Sequence, residues 1–113
     1  MNRENQKING IICEIVILLL EKKAIDISIK IDESEIKTTI EISCEKVAFD
    51  KDTLNNINKI MSTQRTLEIE NLYWGLVGGI YSYGNLHMVG NMVDDVKTYY
   101  NDNKFKIILC RKK

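Results

Sequence analysis

AIDISIKIDESEIKTTIEISC, residues 24–44, decides the fold. In its first part Ile25, Ile27, Ile29 and Ile31 occupy every second position, with Asp26, Ser28 and Lys30 between them. A period of two sends successive side chains to opposite faces of a strand, so Ala24 to Ile31 reads as a half-buried strand with its isoleucines on one face. Ile36 to Cys44 repeats the pattern through Ile36, Ile40 and Ile42. Asp32-Glu33-Ser34-Glu35 between them is a polar turn of hairpin length, and the two strands are expected to pair antiparallel.

The segment before this hairpin has a different period. Ile8, Ile11, Ile12, Ile15, Leu18 and Leu19 recur at three- and four-residue steps, and Val16, Ile17 and Leu20 fill the other side. Met1 to Lys23 therefore reads as a helix buried on most of its circumference. After the hairpin, Asp52 or Thr53 caps a second helix running to about Ser62, with Leu54, Ile57, Ile60 and Met61 as its apolar stripe. Thr63 to Gly84 mixes strand-prone residues with four glycines and reads as two short strands or an ordered loop. Asn85 to about Asp94 has Leu86, Val89 and Val93 at helical spacing. Val96 to Tyr100 and Lys104 to Cys110 are strand-like, joined by Asn101-Asp102-Asn103, whose side chains suit a turn with φ > 0. The expectation is an α/β two-layer sandwich, with helices on one face of a mixed, mainly antiparallel sheet.

The chain has no proline, no Gly/Ser-rich linker and no internal repeat, so residues 1–113 are expected to fold as a single domain. Sixteen basic and sixteen acidic side chains cancel, which leaves no overall field to recruit nucleic acid or an acidic membrane. Arg111 to Lys113 is the one basic run and reads as a solvated tail. The apolar run Ile11 to Leu20 is far short of the roughly 20 residues that a span needs, and no small-residue cleavage site follows it. A cytoplasmic location is expected. Cys13, Cys44 and Cys110 are odd in number and set among Ile, Val and Leu, as reduced core cysteines are, and His87 is distant from all three in sequence.

The order of elements, together with the stretch from Ile11-Ile12-Cys13-Glu14 to Phe49-Asp50 and the stretch from Leu86 to Lys113, resembles the histidine-kinase-like (GHKL) ATPase domain. The form it looks most like is the compact one found in serine kinases that act as anti-sigma factors. The two anchors cover about two-thirds of the 113 residues. The resemblance implies that fold, with Mg-ATP as cofactor, and it implies positions for the nucleotide contacts. The family's helix carries a Glu that polarises the attacking hydroxyl and, four residues on, an Asn that binds Mg²⁺. Here the Glu is Glu14 and the Asn position is Leu18, which offers no oxygen to a hard cation. The Asp and two glycines of the family's adenine loop fall on Cys44, Lys46 and Ala48. A thiol is a poor substitute for a carboxylate acceptor, and the other two add Cβ atoms where glycine moves freely. The later glycine box is reduced to Tyr83-Gly84-Asn85-Leu86, and Gly75-Leu76-Val77-Gly78-Gly79 lacks the Lys and Ser/Thr of a phosphate loop.

All three nucleotide boxes are thus degraded, and the expected function is a non-catalytic regulatory or adaptor domain that binds another protein, with no cofactor and no metal. Tyr73, Trp74, Tyr81 and Tyr83, with glycines nearby, have the composition of a protein interface and are its expected contact residues, together with the first helix. One alternative is a divergent ATP-binding anti-sigma-type serine kinase relying on Glu14. Another is a structural homodimer whose first helix is covered by its partner. His87 has no partner at catalytic spacing, and Ser62, Thr63 and Thr66 read as ordinary helix-end polar residues.

Overall fold

The structure, a computed structural model, describes residues 3–68 and 86–113. Helix α1 (Arg3–Glu21) buries Ile11, Ile15 and Leu19 along one side, and Lys7, Gly10 and Glu14 are buried with them. Ile8, Ile12, Cys13, Val16, Ile17 and Leu18 are half-buried and Leu20 is exposed, so burial is complete along one face and partial around the rest. At its end the Ala24 N–H donates to the Leu19 carbonyl (3.0 Å) and the Lys23 N–H to the Leu20 carbonyl (3.0 Å). Lys23 sits at φ 61°, in the left-handed position that closes a helix in this way.

Strands β1 (Ile25–Glu33) and β2 (Lys37–Glu45) pair antiparallel, as the short polar turn between them predicts. The Ser34 hydroxyl organises their turn: it accepts from the N–H groups of Ile36 and Lys37 and donates to the Lys37 carbonyl. The expectation of four isoleucines on one half-buried face needs two corrections. The register shifts between Ile25 and Ser28, and Asp26 stands at φ 54°, so a bulge interrupts the alternation. Ile25 then lies across from Glu45 on the sheet's open face, while Ile29 and Ile31 lie across from the buried Ile42 and Ile40. Those two face the helix layer yet remain exposed, because among the described residues the helices lie over β2 and β4 and leave Ile29 and Ile31 at their margin.

Helix α2 (Lys51–Ser62) is capped by Asp50 and not by Asp52 or Thr53: the Thr53 N–H donates to Asp50 Oδ1 at 2.8 Å. Hydrogen bonds from the Thr53 hydroxyl and N–H, with Lys22 beside them, hold the Asp50 carboxyl down to about 2. The predicted helix from Asn85 to Asp94 is a short α3 (Leu86–Val89) followed by a 3₁₀ turn (Gly90–Met92). Gly90 allows this turn to lie against α2. A Cβ there would stand 2.7 Å from Thr63 Cβ and 2.9 Å from the Ile60 carbonyl oxygen.

Strands β3 (Asp95–Asn101) and β4 (Lys104–Lys112) form a second hairpin through Asp102 (φ 51°) and Asn103 (φ 60°), the two-residue turn with positive φ that suits these side chains. The sheet order is β1-β2-β4-β3, and among the described residues every pairing is antiparallel, where a mixed sheet was expected. One face carries the helices. Ile40 and Ile42 of β2, and Phe105, Ile107 and Leu109 of β4, meet α1 and α2 there. The other face is open to solvent.

Arg111 does not belong to a solvated tail. It continues the inward stripe of β4 at period two and is 2 % exposed. Its guanidinium donates from Nε and Nη2 to the Glu4 carboxylate at 2.9 and 2.8 Å, and from Nη1 to the Met92 carbonyl. Lys112 is in β4 and Lys113 pairs with Glu33 at 2.5 Å, so the basic run ties the start of α1 and the end of β1 to the centre of the sheet. No helix among the described residues is long and apolar enough to cross a membrane.

Candidate functional site

Of the positions that the resemblance assigns to nucleotide, Glu14, Leu18, Cys44 and Leu86 lie on the helix side of the sheet, while Lys46 lines the hollow on its open face. Leu18 on α1, Cys44 on β2 and Leu86 on α3 belong to one apolar cluster with Ile15, Leu19, Ile42 and Phe105. Burial pushes the Cys44 thiol up, against a smaller opposing effect of a hydrogen bond with the Phe105 backbone, so this group stays neutral and offers no anion. Glu14 is 4 % exposed on the buried side of α1 and, by its charge, adds to the desolvation that raises the Cys13 thiol. The three cysteines are free; Cys44 is buried and Cys13 and Cys110 are half-buried.

Just past β2 the chain turns through Lys46 at φ 50° and is pinned to the β3–β4 hairpin. The Val47 N–H donates to the Asn103 carbonyl at 2.8 Å. The Tyr100 hydroxyl donates to the Val47 carbonyl (3.2 Å) and accepts from the Phe49 N–H (3.1 Å), and the Phe49 ring lies 5.0 Å from Tyr100 in a tilted contact and 5.0 Å from Phe105 edge to face. Asp50, which ends this loop, is occupied in capping α2. Among the described residues this side of the sheet therefore presents an aromatic and aliphatic interior, and no group of three His, Cys, Asp or Glu is placed to hold a metal ion. Ala48 lies within the pinned loop. His87 falls in α3.

Tyr73, Trp74, Tyr81, Tyr83, Gly84 and the glycines from Gly75 to Gly79 lie outside the described residues.

Two accessible surfaces come from placement that the sequence does not announce. The open face of the sheet has a shallow hollow of about 690 Å³ at the end that holds the start of β1 and the β3–β4 turn, lined by Ser28, Ser43, Glu45, Tyr99, Lys104 and Lys106. Its charges are of both signs, and Lys104 lies 3.8 Å from Glu45. On the helix side, a groove of about 210 Å³ runs between α1 and β1, lined by Asn5, Ile8, Asn9 and Ile12 on one wall and by Ile31, Glu33 and Thr38 on the other. Ile29 and Ile31 are exposed beside it. The half-buried stripe Ile8-Ile12-Val16 on α1 recurs at four-residue steps, the one sequence signal that could have located this wall. Arg111 was also legible in principle, since Phe105, Ile107, Leu109 and Arg111 share one alternation.

No known protein family, curated protein or solved structure matches the chain.

Proposed function

We propose that this chain is a cytoplasmic, non-catalytic regulatory or adaptor domain that binds another protein on a degenerate ATPase-like scaffold. The observation that carries this reading is the apolar filling of the nucleotide positions. Leu18 and Leu86 stand in one hydrophobic cluster with Cys44, where the resemblance calls for a magnesium ligand, a phosphate loop and an adenine acceptor. Mg²⁺ needs oxygen ligands in near-octahedral geometry, and a cluster of leucines and a neutral thiol supplies none. The left-handed turn at Lys46, a position that the resemblance gives to glycine, is in keeping with descent from such a scaffold. Binding of a partner then falls to the first helix, and the composition of the segment bearing Tyr73, Trp74, Tyr81 and Tyr83 makes those four its contact residues.

Thermal melts of the purified protein with and without millimolar Mg-ATP and Mg-ADP test the reading. A ligand at 100 times its dissociation constant adds about 2.7 kcal/mol, several degrees in the midpoint for a domain of this size. The expected result is no shift. A shift of several degrees, abolished by chelating magnesium, would return the chain to the kinases and make Glu14→Gln the next variant to assay.

A further inference from the structure

We infer that β1 is a self-association edge: two copies of the chain join by antiparallel pairing of their β1 strands about a two-fold axis at Ile31. The two sheets then become one sheet of eight strands, four from each copy. Among the described residues β1 ends the sheet, with β2 on its inner side alone. The Ser34 N–H donates to the Lys37 carbonyl at 2.9 Å, which makes these two a hydrogen-bonded pair of the antiparallel ladder. Backbone groups alternate in direction along such a ladder, so Ser28, Lys30 and Asp32 point theirs at β2, and Ile29, Ile31 and Glu33 point theirs outward. An outward row of this kind is a template for another strand unless it is blocked by proline, by a bulge or by unanswered charge.

The one block present selects the register. The bulge at Asp26, with φ 54°, spoils the first part of the edge and leaves residues 28–33 in regular register, which the Ser34–Lys37 hydrogen bond extends to residue 34. Ile31 is the midpoint of that stretch. An axis there pairs it wholly with itself: Ile31 with Ile31 of the second copy, Ile29 with Glu33, Lys30 with Asp32 and Ser28 with Ser34. Lys30 and Asp32 stand on the open face, so the pairing sets two opposite charges across the junction, one on each side of the axis. Moving the axis one residue to Lys30 faces two lysines, and moving it one residue to Asp32 faces two aspartates, each unfavourable when directly opposite. An axis at Ser28 would match Asp26 with Lys30 but has to run through the bulge.

On the helix face the same axis gathers the apolar surface that the monomer leaves open. Ile29 and Ile31 are 48 and 53 % exposed. The groove lined by Ile8, Ile12 and Ile31 lies at the axis, so the Ile31 side chain of the second copy arrives at its mouth. Glu33, opposite Ile29 of the second copy, keeps its charge answered by Lys113 at 2.5 Å. A two-fold contact of this kind is isologous and closes after two subunits, so it yields a dimer and not a fibre. The inference is independent of the nucleotide question: a melt shifted by Mg-ATP would leave it standing, and a monomer in solution would leave the regulatory reading untouched.

Sedimentation equilibrium of the full chain, from micromolar to hundreds of micromolar, tests it. The expected mass at high concentration is twice 13.1 kDa. Ile31→Lys places two ammonium groups on the axis and should weaken association at least tenfold, with the far-ultraviolet circular dichroism unchanged because this side chain is already half exposed. Lys30→Asp should weaken it several-fold by opposing Asp32 of the second copy, and adding Asp32→Lys to that variant should restore it. This charge swap decides the matter even if Ile31→Lys fails to fold. A mass of 13.1 kDa at every concentration overturns the inference, as does a dimer indifferent to Ile31→Lys. A double swap that fails to recover what Lys30→Asp loses overturns it too, since the register is the substance of the proposal.

Discussion

Ile42 and Ile29 are the same residue type, directly across from each other on the same face of the sheet, and their surroundings differ completely. Ile42 is 0 % exposed and Ile29 48 %. The next pair along, Ile40 and Ile31, repeats the contrast at 0 and 53 %. Both strands carry the same isoleucine alternation, and β2 differs only in where it lies. It runs between β1 and β4 and beneath α1, while β1 extends past the edge of the helix layer. Period two therefore reports which way a side chain points. Whether anything waits there is decided by the width of the layer above.

The sharpest way to break this comparison is to truncate both members of one pair, at a concentration where the chain is monomeric. Ile42→Ala leaves a cavity among well-packed neighbours and should cost about 2–5 kcal/mol in a urea titration. Ile29→Ala gives up only partly buried area and should cost less than about 1 kcal/mol. Equal costs would mean that β1 is covered in solution by something that the fold as described does not include.

A second contrast between centre and edge is ionic. Arg111 is 2 % exposed and grips Glu4 with two hydrogen bonds, whereas Glu33 and Lys113 meet at the edge with side chains 67 and 38 % exposed. Glu4→Gln weakens charge-assisted bonds to a buried guanidinium and should cost about 1–3 kcal/mol. Its own side chain is 48 % exposed, which holds the loss below that of a fully buried pair. Glu33→Gln should stay within about 0.5 kcal/mol of the parent in the monomer. High salt should narrow the difference little, because burial shields the Arg111 pair from screening ions.

These contrasts also mark how far the sequence could be read. The four strands and the two longer helices follow from periodicity, and the Asn101-Asp102-Asn103 turn from side chains that tolerate positive φ. Arg111 departs from its expected place because a basic run at a chain end resembles a tail, although its position in the alternation after Leu109 points inward. The Asp26 bulge was invisible, since one inserted residue in a strand leaves every neighbouring residue type unchanged while reversing the face of Ile25. Asp50, Asp52 and Thr53 are all chemically eligible to cap α2, and only backbone geometry chooses Asp50 among them. At the positions that the resemblance assigns to magnesium and adenine, Leu18 and Cys44, the absence of an oxygen ligand is legible in the residue types alone. That Leu18, Cys44 and Leu86 share one cluster needed the tertiary contacts.

A third contrast, whose effects stay at or below about 1 kcal/mol, lies at the junction between the two regions, where the chain leaves α1 and turns onto exposed β1. Lys23 makes that turn at φ 61°, a conformation in which a side chain's Cβ crowds the following carbonyl and which glycine adopts freely. Lys23→Gly relieves the crowding, but it also frees the unfolded chain, and the two effects partly cancel. The net gain should be about 0.5–1 kcal/mol, read as a higher urea midpoint with an unchanged slope. Glu21→Gly, two residues earlier and still helical, should lose about 1 kcal/mol by the same entropy with no strain to relieve. If both glycines destabilise alike, the left-handed turn is not what directs the chain out from under α1. The position of β1 at the edge would then be fixed by its pairing with β2 alone.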